Sequence, residues 1–277
     1  MTRNANIWRV VVLAAGRGPD DPMAKAFAVA HKCTIAIAGK PMLQWVLEAL
    51  RGTRISAPYI IVIDNAEAAE TASSNARDIK ILPAANSAPA SALAAIREIN
   101  QFPALITTGD HPLLTPAMIN VMMEATEQSE ADVLVGLATR ETIQATYPET
   151  KRTYFNLGDV KVSGCNLFVV KTEAGLKLLQ RWQHLEQNRK KPWKLVAAFG
   201  AKPILLYMTG QMTAKRAFGF VSQSLGIAVQ PVYLPFAEAA IDVDKPSDHE
   251  LAEAILLKKG TSSALSGSFS IGEATRS

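Results

Sequence analysis

The chain has 277 residues, 48% hydrophobic and 19% charged, which is enough apolar material for a large core and excludes a disordered chain. Lys and Arg number 29 against 25 Asp and Glu, a formal net charge of +4, which suits anionic small ligands and is too small to mark a nucleic-acid binder. Two cysteines, Cys33 and Cys165, exclude a disulfide scaffold and a four-cysteine zinc site and read as reduced thiols, with Cys165 a small core residue. No apolar run approaches the roughly 18 residues of a spanning helix. The N-terminal stretch Ile7 to Gly16 is interrupted by Arg9 and ends in Gly-Arg-Gly, so it reads as a buried strand of a cytoplasmic protein rather than a signal peptide.

In chain order, Val10 to Ala15 is a short continuous apolar run closed by Gly16, the pattern of a parallel strand covered on both faces. Residues 41–51 have helical spacing, with Pro41 at the first turn. Tyr59 to Ile63 and Ile79 to Leu82 are strands, and Ser91 to Ile99 is a helix. Ala104 to Thr108 is a strand ending at Gly109-Asp110, followed by a helix over Thr115 to Ala125 capped by Thr115. Val133 to Leu137 is the next strand. Beyond residue 138 the alternation weakens: Val160 to Val170 is strand material, Leu176 to Leu185 is helical, Val229 to Leu234 is a late strand and His249 to Lys258 a helix. Strands alternating with helices predict an α/β fold, a three-layer α/β/α sandwich around a mostly parallel sheet. Residues 1–258 read as a single domain in which 139–228 is an elaboration, and 259–277, rich in Gly, Ser and Ala, as a flexible tail.

In such sheets ligands sit beyond the carboxyl ends of the strands. Two chemistry-bearing segments fall there. Leu13-Ala14-Ala15-Gly16-Arg17-Gly18 lets backbone amides approach an anion, and Arg17 and Lys32 add charge against phosphates. It is neither a P-loop nor the dinucleotide fingerprint, because no Gly-Lys-Ser/Thr follows and no third glycine falls at the required spacing. Gly109-Asp110-His111-Pro112 offers a carboxylate suited to a hard cation such as Mg²⁺. A third segment, Asp242-Val243-Asp244, supplies two more carboxylates, on one side of the chain if it is extended. His111 reads as a neighbour bonded to backbone.

Taken together, Leu-Ala-Ala-Gly-Arg-Gly, then Lys32 seven residues before Gly39-Lys40-Pro41, then Gly-Asp-x-Pro-Leu-Leu, then Asp-Val-Asp-x-Pro-x-Asp resembles the nucleotidyltransferase superfamily with the glycosyltransferase-A type fold. The likeness is closest to the molybdenum-cofactor guanylyl/cytidylyltransferase-like, or MobA-like, group and to the sugar-phosphate nucleotidylyltransferases, and it covers roughly residues 7–137 and 229–258. The resemblance implies a Rossmann-like nucleotide-binding fold and Mg²⁺-dependent transfer of a nucleotidyl group from a nucleoside triphosphate to a phosphorylated small-molecule acceptor, releasing pyrophosphate. It implies that Leu13, Ala14, Ala15, Gly16 and Gly18 hold the nucleotide, with Ser87 and Ser91 near the base. Lys32 would match the signature lysine, Asp110 the metal-binding aspartate and Asp244 the second metal carboxylate, with Asp242 as its substitute. Family members commonly carry Gly-x-Gly-Thr-Arg. Here Pro19-Asp20 follow Gly18, which leaves Arg17 as the available guanidinium, and Lys25 is a rival to Lys32.

Two other readings stay open: a nucleotide-binding regulator that has lost turnover, supported by the altered loop after Gly18, and a nucleotide-sugar glycosyltransferase of the same fold, disfavoured because the fourth strand ends in Gly-Asp-His-Pro rather than Asp-x-Asp. Tyr154, Asn156, Ser163 and Asn166 fall to the acceptor side by elimination. The basic run Arg189 to Lys194, near Trp182 and Trp193, reads as a solvated helix end, a lid, or a contact for an anionic membrane surface. Leu195 to Phe199 and Ile204 to Met208 read as core or as the face of a homodimer.

Overall fold

A computed structural model describes residues 7–185 and 200–268. Arg189 to Lys194, Trp193 and Leu195 to Phe199 lie outside the described residues.

The strands are β1 (Arg9–Leu13), β2 (Ala36–Ile37), β3 (Lys40–Pro41), β4 (Tyr59–Ile63), β5 (Ile79–Pro83), β6 (Ala104–Thr108), β7 (Val133–Thr139), β8 (Phe155–Asn156), β9 (Lys161–Val170) and β10 (Val229–Tyr233). The helices are α1 (Pro22–Ala26), α2 (Met42–Arg51), α3 (Ala66–Ala72), α4 (Ala88–Ile99), α5 (Pro116–Gln128), α6 (Arg140–Thr146), α7 (Leu176–Leu185), α8 (Ala201–Met208), α9 (Ala214–Leu225) and α10 (Pro246–Ser268). The main sheet has eight strands in the order β10-β7-β9-β6-β1-β4-β5, with β8 pairing β9. Every pair is parallel except those made by β9, which runs antiparallel to β6, β7 and β8.

Alternation along β1 sorts the layers. Val10 and Val12 face the cluster built with α2, α3 and α5, while Val11 faces the one built with α4 and α7. Both faces are therefore covered, and the α/β/α sandwich expected from the sequence is the fold observed. Thr115 caps α5 by accepting the Met118 amide, with Pro116 in the first turn, as the sequence predicts.

The segment 139–228 is woven into the sheet. It supplies β9, which lies between β6 and β7 near the middle, and Cys165, Leu167 and Val169 of that strand join the main core. The β7–β9 register shifts between Val135 and Leu137, which face Phe168 and Gly164. Within the shift, Asn166 adopts φ +50°. Such an irregularity re-aims a side chain, and here it turns Asn166 towards the carboxyl ends of the parallel strands.

At the edges the structure differs from the sequence reading. Helix α10 runs on through Gly260 to Ser268, where the composition suggested a tail. In α8, Leu206 and Tyr207 pack on neighbours while Leu205 and Met208 stand exposed. Trp182 packs on Phe168, its ring centroid 5.0 Å away. No helix among the described residues is long and apolar enough to cross a membrane.

Leu105 on β6 is fully buried in the main core, directly below the strand end that bears Asp110. Leu105→Ala is expected to lower stability by about 3 kcal/mol through lost burial and a residual cavity, read as a lower urea midpoint at unchanged m-value.

Candidate functional site

The site forms where β1, β4 and β6 end. Lys32 begins a short 3₁₀ turn, Lys32–Thr34. The β2–β3 hairpin follows, with Ala38 at φ +48° and Gly39 at φ +81°. A hairpin turn with both central residues left-handed favours glycine at the second place, which accounts for Gly39 and fixes its distance in sequence from Lys32.

The Lys32 ammonium lies 2.7 Å from Asp110 Oδ2 and 2.9 Å from Asp244 Oδ1. These two aspartates are 134 residues apart in sequence, and they meet because the Val243 amide donates to the Asp110 carbonyl at 2.9 Å. Burial alone would lower the Lys32 pKa, but the two carboxylates outweigh it and hold the amine above its ordinary value. Lys32 is therefore a fixed cation. Lys25 instead pairs with the exposed Asp20 at 2.6 Å.

Asp242 sits beside them but is held from the other side. Arg152 Nη1 donates to its Oδ1 at 2.9 Å, and Asn166 Nδ2 donates to its Oδ2 at 3.1 Å. Burial, with Asp110 and Asp244 nearby, pushes the Asp242 carboxyl up to about 6 despite Arg152. Arg152 also reaches Asp248 Oδ1 at 3.4 Å, and Asp248 Oδ2 accepts the Asp244 amide. Four carboxylates thus gather around Lys32 and Arg152. Asp110 Oδ1 is buried and has no hydrogen-bond partner, and an orphaned acceptor of this kind calls for a water or an ion. Among the described residues no group of three or more His, Cys, Asp or Glu side chains gathers to hold a metal. Asp110 and Asp244 are hard carboxylates, the donor type that Mg²⁺ takes.

The glycine turn is held by carboxylates of its own. The Gly16 amide donates to Asp64 Oδ1 at 2.8 Å, and the Arg17 amide to Asp21 Oδ2 at 3.3 Å. Asp21 also caps α1 through the amides of Met23 and Ala24. Two amides that the sequence pattern offers to an anion are thus already engaged. Ala14 donates its amide to the Val62 carbonyl, and Leu13, Ala15 and Gly18 complete the strand end and the turn. Ser87 and Ser91 both shape the loop before α4. Ser87 caps the helix, and the buried Ser91 hydroxyl accepts the Ala85 amide at 2.9 Å.

Of the acceptor-side candidates, Asn166 reaches the aspartate cluster, and Tyr154 packs against the main core with its hydroxyl buried and unbonded. Ser163 is buried, and Asn156 accepts the Gly158 amide. Sequence reasoning missed Arg152, His31 and Asp64. A carboxylate immediately after β4 and a histidine immediately before Lys32 were visible signals. Arg152 had none, because its partners lie 90 and 96 positions away in sequence.

Comparison with known proteins now bears on this geometry. The MobA-like NTP transferase domain matches residues 10–208. The chain belongs to that family. It is a nucleotidyltransferase, and the match includes the middle segment that the motifs left uncovered while ending before Asp242 and Asp244. Among solved structures, a hypothetical transferase from Thermus thermophilus is similar at 24% identity and TM-score 0.72, covering 88% of this chain and all of that one. A CMP:2-keto-3-deoxy-manno-octonic acid synthetase complexed with CTP is similar at 13% identity and TM-score 0.58, covering 92% of this chain and all of that one. A 4-diphosphocytidyl-2C-methyl-D-erythritol synthase from Anaerococcus prevotii is similar at 13% identity and TM-score 0.55, covering 91% and 99%. These likenesses establish the shared fold. No curated protein matches the chain by sequence.

His111, beside Asp110, is buried, and its Nε2 lies 3.2 Å from the Glu238 carbonyl. Burial lowers its pKa below 6.5. The unfolded chain therefore takes up the proton more readily, and stability is expected to fall as pH drops through about 6.5 and below. His111→Gln, which keeps a donor for Glu238, is expected to lose part of that acid slope, measured by urea unfolding at pH 7.5 and 5.0.

Proposed function

We propose that the protein transfers a nucleoside monophosphate from a nucleoside triphosphate to a phosphorylated small-molecule acceptor, with release of pyrophosphate and dependence on Mg²⁺. The observation that carries this reading is the Lys32 ammonium lodged between Asp110 and Asp244. Such a reaction needs no covalent nucleophile and no general base, because the acceptor phosphate is already ionised. The protein's tasks are to align the two phosphates and to offset the charge spread over the α-phosphorus. Lys32 and Arg17 would face the triphosphate, and Asp110 and Asp244 would hold the Mg²⁺, with Asp242 behind them. The metal, when bound, would neutralise phosphate oxygens. Leu13 to Gly18 would carry the nucleotide, with Ser87 and Ser91 shaping the loop beside the base.

A cavity at the same end of the sheet would suit the acceptor. A cavity of about 320 Å³ lies between α6 and the β8–β9 hairpin, with Arg140 and Lys161 in its lining beside Glu141 and Asp159. Its two cations suit a phosphate. The two acids favour an acceptor that also carries hydroxyl or amine donors.

The test is pyrophosphate release on incubation with each nucleoside triphosphate, Mg²⁺ and a phosphorylated-metabolite extract. Extract-dependent release is expected, and Lys32→Ala should reduce it on the order of 10²–10³-fold, by analogy with removal of an oxyanion donor. At least one nucleotide should raise the melting temperature in a Mg²⁺-dependent manner, and Asp110→Ala should abolish the metal dependence. Binding with no release in any mixture would favour a regulator that has lost turnover, a reading to which the Asp21-held loop lends support.

Lys32 also sets an order of binding. While its ammonium sits between the two carboxylates, a divalent cation and the lysine compete for the charge of the same two side chains. A triphosphate drawing Lys32 towards itself would free them. Wild-type protein is therefore expected to bind Mn²⁺ weakly without nucleotide, and Lys32→Met to bind it more tightly, both read from the electron paramagnetic resonance signal of free Mn²⁺. Equal binding by the two proteins would refute the competition.

A further inference from the structure

His31 and Asp64 are accounted for neither by the family's motifs nor by the charge balance at Lys32. His31 is buried. Its Nδ1 accepts the Cys33 amide at 3.2 Å and lies 3.0 Å from Cys33 Sγ. Burial, with Asp64 nearby, pushes the Cys33 thiol up to about 12, so the sulfur keeps its proton and is itself a donor. With Nδ1 accepting the Cys33 amide, the ring proton belongs on Nε2, which lies 3.1 Å from Asp64 Oδ1. That same oxygen accepts the Gly16 amide at 2.8 Å. A Cβ added at Gly16 would stand 2.9 Å from His31 Nε2, so the glycine lies directly against the imidazole edge and nothing larger fits.

One side chain therefore borders both halves of the site. On one side His31 caps the turn Lys32–Thr34. On the other it reaches the glycine turn through Asp64. Burial by itself would raise the Asp64 pKa, but the bonds from Gly16 and His31 hold the carboxyl below its ordinary range, and its charge strengthens both bonds. We infer that His31 is a positioning residue: its Nε2–H fixes Asp64, Asp64 fixes the Gly16 amide, and the glycine turn is thereby held at a set distance from Lys32 across the triphosphate. This rests on the nucleotidyl-transfer reading. Partners of this kind, one shell removed from the ligand, typically matter on the order of 10–100-fold when removed.

Two variants separate this role from simple capping. His31→Asn keeps an acceptor where Nδ1 caps the turn but is too short to reach Asp64. His31→Gln extends an amide donor towards Asp64 and is the poorer cap. If His31 positions the turn, His31→Asn raises the Kd or KM for nucleoside triphosphate about tenfold or more, with kcat changed less, and shifts the Gly16 amide resonance in ¹H–¹⁵N spectra. His31→Gln retains most of the affinity and a Gly16 resonance near that of wild type, even where its melting temperature falls further. A purely structural role predicts the opposite ranking, with affinity following melting temperature. If wild-type protein binds no nucleoside triphosphate, the parent reading fails and this inference falls with it. If wild type binds and His31→Asn binds equally well, or if the two variants give the same Gly16 resonance, the inference fails alone.

Discussion

Most of the site depends on keeping like charges together. Asp110, Asp242, Asp244 and Asp248 converge at the end of the sheet, and apart from their cations they would repel one another. Lys32 sits between Asp110 and Asp244, and Arg152 between Asp242 and Asp248. A backbone bond from Val243 to Asp110 closes the two acidic segments onto each other. Because Lys32 and Arg152 are largely shielded from water, the attraction is stronger than at an open surface, and removing either partner would leave uncompensated charge.

The sheet makes this convergence possible. Parallel strands bring β1, β4 and β6 to an end on one side, and the loops that follow them carry Gly16, Asp64 and Asp110. The antiparallel β9 enters between β6 and β7 and contributes through an irregularity rather than a strand end, since the register shift opposite Gly136 is what delivers Asn166 to Asp242. Gly136 permits the close approach, because a Cβ there would lie 3.0 Å from the Leu167 carbonyl oxygen. The middle segment thus secures the acidic cluster with Arg152 and Asn166 while also forming part of the core.

The altered loop after Gly18 acquires a structural reason. Asp21 is buried and serves as both the cap of α1 and the acceptor for the Arg17 amide, and Asp20 holds Lys25 at the surface. The loop is stiffened by its own carboxylates. On the proposed reading, the charge facing the phosphates would rest on Lys32 and on the side chain of Arg17.

How much was legible from residues alone follows the range of the interactions. Sequence determined the strands at 10–13, 59–63, 79–82, 104–108 and 133–137, the cap at Thr115 and the α/β class, because apolar period, prolines and capping residues act over a few positions. It also singled out Lys32, Asp110 and Asp244, since their neighbours form compact local motifs. Only the tertiary structure decided that Lys32 bridges the two aspartates, that Asp242 belongs to Arg152 and Asn166, that Ser87 and Ser91 are occupied in shaping a loop, and that His31 underlies the glycine turn. Apart from the local bonds of Ser87 and Ser91, those contacts join residues brought together by strand order and register, and neither leaves a periodic trace in a single chain.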